Sequence, residues 1–152
     1  MKQTRNAFTM IELVFVIVIL GILSSIAISK MAVTRDDAMI TKGRSQVSAI
    51  RNAIALAKSM NMMQGSATLY PTKLDNLASA SATNGKLFDT DGTTKLLDYP
   101  VYAKNADGHW TKKSANVYTF HVMGNGIDFT YNKNDGSFDC VHTDQTCKKL
   151  TE

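Results

Sequence analysis

Proline is nearly absent from this chain: there are two in 152 residues, and none before Pro71. A helix that starts early therefore meets no proline break before that point. Cysteine is equally scarce, with only Cys140 and Cys147. A thiol metal site would need more ligands than His142 can add, so metal chemistry is not called for. There is no internal repeat and no low-complexity tract. No nucleophile elbow or metal motif frames the Ser, His and Asp residues, so enzymatic chemistry is not expected. His109, His121 and His142 are read as satisfied or exposed. The net charge is +4, and +2 without Lys2 and Arg5 near the N-terminus, which is too mild to argue for nucleic acid as the main partner.

What is present begins with a long apolar run. Residues 8–29 read FTMIELVFVIVILGILSSIAIS, long enough for a helix of about 30 Å that spans a bilayer. One carboxylate, Glu12, lies inside it. A polar leader with Lys2 and Arg5 precedes it. A secretory signal peptide has the same outline, but its apolar region is shorter and carries no acid. A plain signal anchor would let Glu12 snorkel to the interface. A charge inside a membrane helix is costly and points to function.

Ala7-Phe8-Thr9-Met10-Ile11-Glu12-Leu13 resembles the cleavage and methylation site of type IV pilins and pseudopilins. The stretch from Gly21 to Ser29 is similar to the apolar segment that follows in that family. Ala7 replaces the usual Gly, and Ser29 stands where Pro is common. The resemblance implies that a prepilin peptidase cuts between Ala7 and Phe8 and methylates the new amine of Phe8. In a staggered bundle, Glu12 of one subunit would then meet the Phe8 amine of the next, each offsetting the other's desolvation. Loss of Lys2 and Arg5 with the leader lowers the net charge to +2.

The expected fold is α+β: a long N-terminal helix packed on a small antiparallel sheet, in the pilin manner. Residues 1–7 are the leader, 8–29 the transmembrane half of the helix and 30–63 its soluble amphipathic half. Residues 64–98 connect, and 99–152 form the sheet and a C-terminal disulfide loop. Ile40, Gly43, Val47, Ile50, Ile54 and Ala57 recur at spacings of three and four, the mark of one helix face. Met60, Met62 and Met63 are expected to fill gaps near the helix end. Gln64-Gly65-Ser66 ends the helix. Leu69 to Leu77 is similar to a pilin segment in which a Tyr-Pro turn leads to a short helix, here with Thr72 as cap. Residues 78–85 read as an exposed loop, tacked down by Leu87-Phe88 and Leu96-Leu97.

The last third changes to a period of two. Val101–Ala103, Val117–Val122 and Ile127–Tyr131 read as strands, with Ser137–Val141 as a last one. Asn105–Gly108, Gly124–Gly126 and Asn132–Gly136 are the turns between them. Tyr118, Phe120 and Val122 should face the helix stripe. Two cysteines outside the cytoplasm favour a disulfide, and pilins often carry one near the C-terminus. Some major pseudopilins bind calcium in C-terminal loops; Asp135, Asp139 and Asp144 are the candidates here, though no spacing selects them. Asp89-Thr90-Asp91-Gly92 lacks the remaining ligands of a calcium loop and reads as turn chemistry.

The function implied is a structural subunit of a pilin-like filament, as a type II secretion pseudopilin or a minor type IV pilin. Its partners would be copies of itself or related pilins, the peptidase, an inner-membrane assembly platform and, before assembly, lipid. The C-terminal domain would lie in the periplasm. The alternatives are a membrane-tethered periplasmic binding domain that never polymerises and a DNA-binding competence pilin.

Overall fold

The computed structural model describes residues 8–78, 80, 83–90, 92 and 94–152; of residues 29–33 the backbone alone is described. The leader, and with it Ala7, lies outside the described residues. The backbone is helical from Met10 to Met63 (α1). The chain divides into two compact units after Arg35.

Within the first unit, Met10–Ile28 has a mean hydropathy of 2.8, and none of it is buried. Apolar side chains point outward all round, as in a helix meant for lipid or for other helices. This is long enough to cross a membrane.

Within the second unit, α1 buries the expected stripe of Ile40, Val47, Ile50, Ile54 and Ala57. Gly43 marks the closest approach. A Cβ there would stand 2.6 Å from both the Phe120 ring and the Leu150 side chain. The helix stops where expected: Gly65 adopts φ 67°, and the Ser66 N–H reaches back to the Asn61 carbonyl at 2.9 Å.

Six strands follow. β1 (Thr83–Leu87) and β2 (Val101–Lys104) form a two-stranded antiparallel sheet. β3 (His109–Ser114), β4 (Val117–Val122), β5 (Asn125–Asn132) and β6 (Ser137–Cys140) form a four-stranded antiparallel meander. α2 (Gln145–Thr151) closes the chain. The inner face of the meander is aromatic. Trp110 pairs across from Phe120, Tyr118 from Phe129, and Tyr131 from Phe138. Tyr118, Phe120 and Val122 are all fully buried, as their alternation predicted. Phe88 joins them, its ring centroid 4.6 Å from that of Tyr118. Leu87 and Phe88 therefore do hold the connecting stretch to the core.

Several expectations need correction. β1 begins inside the stretch read as an exposed loop. Its Asn84-Gly85 pair reads as a turn signal, but Asn84 sits at φ 57° in an irregularity of the β1–β2 register. β3 was not expected, because His-Trp-Thr-Lys-Lys-Ser is mostly polar. The turn after β4 is Met123-Gly124, both at positive φ as in a tight hairpin, so Gly126 lies in β5. The short helix expected directly after Pro71 does not form over residues 71–78. Asp75 Oδ1 accepts the Leu77 N–H at 2.9 Å, a side-chain bond that competes with helix formation. The three methionines are not gap fillers. Met60 and Met62 are exposed, and Met63 is 87% exposed.

Candidate functional site

The helix start concentrates the unusual chemistry. Thr9 precedes α1, and its Oγ1 accepts the backbone N–H of Glu12 at 3.3 Å. The same hydroxyl donates to Glu12 Oε2 at 3.4 Å. Thr9-Met10-Ile11-Glu12 thus forms a variant of a capping box, satisfying a donor that every helix start leaves open. That pattern was legible as Thr followed by Glu three residues on, and the sequence reading missed it. Among the described residues Glu12 has no basic partner. Its neighbours Ile11, Val14, Phe15 and Val18 line a shallow concavity of about 400 Å³ with it. One acid therefore stands on a lateral surface otherwise made of exposed aliphatic and aromatic side chains.

A family model described as the prokaryotic N-terminal methylation motif matches residues 2–28. The chain carries the signature of type IV pilins and pseudopilins. The motif implies processing by a prepilin peptidase and assembly from pilin subunits. An exposed apolar helix bearing it fits a pilin anchored in the inner membrane. The α+β architecture, a long helix packed on antiparallel sheets, is consistent with a pilin-like fold. No curated protein and no solved structure matches the chain.

At the other end of the chain, Cys140 and Cys147 form a disulfide with Cα atoms 5.9 Å apart. It ties β6 to α2. Asp144 caps α2, its carboxylate accepting the Thr146 N–H at 2.6 Å and the Cys147 N–H. Asp135 accepts the Ser137 N–H and an Asn132 amide within the β5–β6 turn; the Ser137 side chain first, then the Ser137 N–H, hold its carboxyl below the usual range. Asp139 pairs with Arg51 of α1 at 3.0 Å and with His142 at 3.1 Å. The three calcium candidates are thus engaged locally. The group that does come together is Asp139, Cys140 and Cys147, whose sulfurs are already bonded to each other.

The sequence reading also missed a buried polar network. Lys112 and Asp75 form an ion pair at 2.6 Å, with side chains 3% and 0% exposed. Lys112 Nζ also donates to the Leu77 carbonyl at 2.7 Å. Tyr118 OH donates to Asp75 Oδ2 at 2.6 Å. Burial first, and then this bond to a carboxylate, push the Tyr118 phenol well above its ordinary range. The network anchors the segment after Pro71 to the sheet, aided by Tyr131 OH donating to the Pro71 carbonyl. Its signal was the period of two: Trp110 faces inward, so Lys112 must as well.

The outer sheet face is polar. Burial alone would raise Asp128, but hydrogen bonds from Lys113 and Thr119 outweigh it and hold the carboxyl below the usual range. Thr111 Oγ1 and His121 Nε2 share a hydrogen bond at 2.9 Å. Burial, then the charges of Lys42 and Lys104, lower His109.

Proposed function

We propose that this chain is a structural subunit of a pilin-like filament, a type II secretion pseudopilin or a minor type IV pilin. It would be made as an inner-membrane precursor and later extracted. Cleavage between Ala7 and Phe8 would free an amine for N-methylation. Glu12 of one subunit would then pair with the Phe8 amine of its neighbour. The C-terminal unit would lie in the periplasm, where an oxidised Cys140–Cys147 pair is stable.

The observation that carries this reading is Glu12 on an unburied apolar helix, inside the matched methylation motif. A lone carboxylate there is costly in lipid unless a cation meets it. The residues supplying such a cation on cleavage are four positions away in the same motif. The mild charge of the mature chain gives DNA little hold. The smallness of the globular unit favours a pseudopilin or minor pilin.

Intact-mass spectrometry of the membrane-extracted protein tests the reading. The expected species begins with N-methyl-Phe8. A retained Met1, or a cut near Ala27, would overturn it.

A further inference from the structure

The soluble part of α1 has a second apolar stripe. Ala49, Ala53, Leu56, Met60 and Met63 follow one another at spacings of four, three, four and three. These spacings put them on one face. It is not the face that packs on the sheet: Leu56 is 61% exposed. The flanking residues Ser45, Asn52 and Ser59 are exposed and uncharged. The nearby cations are already engaged, Arg51 with Asp139 and Lys58 with Tyr70.

A second apolar feature lies on the same unit. Tyr99 is 89% exposed and Tyr102 is 54% exposed, on either side of Pro100 and Val101. The loop that carries them is held in place. Leu96 and Leu97 donate their N–H groups to the Asp89 and Phe88 carbonyls. Lys95 and Asp98 neutralise each other at 3.1 Å. The tyrosines and the stripe are both open in one molecule, so they do not cover each other.

We infer that Tyr99 and Tyr102 of one copy dock on the Leu56–Met60–Met63 stripe of a neighbouring copy. The inference rests on the filament reading. Three arguments select a second copy as the occupant. The surfaces match in chemistry: thioethers and aromatic rings attract, and the cations beside the tyrosines, Lys86 across from Tyr102 and Lys104 two residues on, are exposed with long stems that keep their charged heads in water. The contact is small. Two tyrosines against a few side chains fall well short of the roughly 800 Å² per partner of a standard interface. A free soluble partner would not stay, whereas copies already held side by side by apolar helices meet at high effective concentration. Finally, the two surfaces differ, so the contact is heterologous, the class of contact that can repeat head to tail as a filament requires.

The test uses the full chain in cells, with the photo-crosslinker p-benzoylphenylalanine in place of Tyr99. Illumination should give a covalent dimer of the chain, with the second peptide mapping between Ser45 and Gln64. A charge swap adds a functional arm. Leu56→Lys and Tyr99→Glu should each cut the filament fraction at least about tenfold, and the double variant should recover most of it. These side chains are exposed, and the amount of membrane-bound protein checks that the variants fold. Crosslinks to another protein or to another region overturn the docking while leaving the filament reading intact. So do normal filaments from both single variants. If the parent chain itself yields no filaments, the filament reading falls and the docking falls with it.

Discussion

The cap that Glu12 makes with Thr9 and the assembly role proposed for it are separable, and a set of three substitutions divides them. The Glu12 carboxylate and backbone N–H engage the Thr9 hydroxyl at 3.4 and 3.3 Å. Those distances are long for hydrogen bonds to a hydroxyl, so the cap contributes near the low end of the usual range, about 0.5 kcal/mol. The proposed pairing with a neighbour's Phe8 amine is a different quantity. Breaking a buried pair by deleting one partner costs about 3–5 kcal/mol. That corresponds to roughly 150- to 4,000-fold in the association constant of each contact. Thr9→Ala deletes the cap and keeps the charge, so filaments should persist with a modest loss. Glu12→Gln keeps an acceptor for the hydroxyl and deletes the charge, so the protein should be cleaved, sit in the membrane and fail to assemble. Glu12→Ala deletes the charge and the carboxylate's half of the cap while keeping the backbone N–H bond to Thr9, and should behave like Gln. The assay is the sheared filament fraction, normalised to processed membrane protein in the same cells. Normal filaments from Glu12→Gln alongside none from Glu12→Ala would assign the residue to capping. Normal filaments from both would refute any assembly role.

Two further predictions concern the globular unit. Lys112→Met should destabilise it by about 3–5 kcal/mol, because Asp75 is left charged and buried; thermal unfolding in detergent should show a midpoint lower by roughly ten degrees or more, and a change of a degree or two would contradict the network's role. Replacing Cys140 and Cys147 with Ser should cost about 2 kcal/mol, given the short loop they close; thiol labelling of the unreduced parent checks the bond, and two reactive thiols would refute it.

How much of this was readable beforehand depends on whether the signal was local. The long helix, its buried stripe, its glycine stop and strands β2, β4, β5 and β6 all follow from spacings within a few residues. β1 and β3 did not, because their own residues are poor strand formers and are recruited by pairing partners. α2 was missed although Asp144 is an ordinary cap, because attention to the cysteines framed the segment as a loop. The two buried or membrane-placed charges show the same contrast most sharply. Glu12 stands out in the sequence because, Thr9 apart, everything within a turn of it is apolar, so one window reveals both the charge and its cost. Lys112 is equally out of place in an aromatic core, yet its neighbours in sequence are Thr111 and Lys113, and nothing local marks it. Its partner, Asp75, is 37 positions away, in the segment read as a short helix capped by Thr72. A buried charge whose counter-charge is distant in sequence becomes visible only when the strand's inward parity is taken at face value. Trp110 fixes that parity, and Lys112 must then have found an acid.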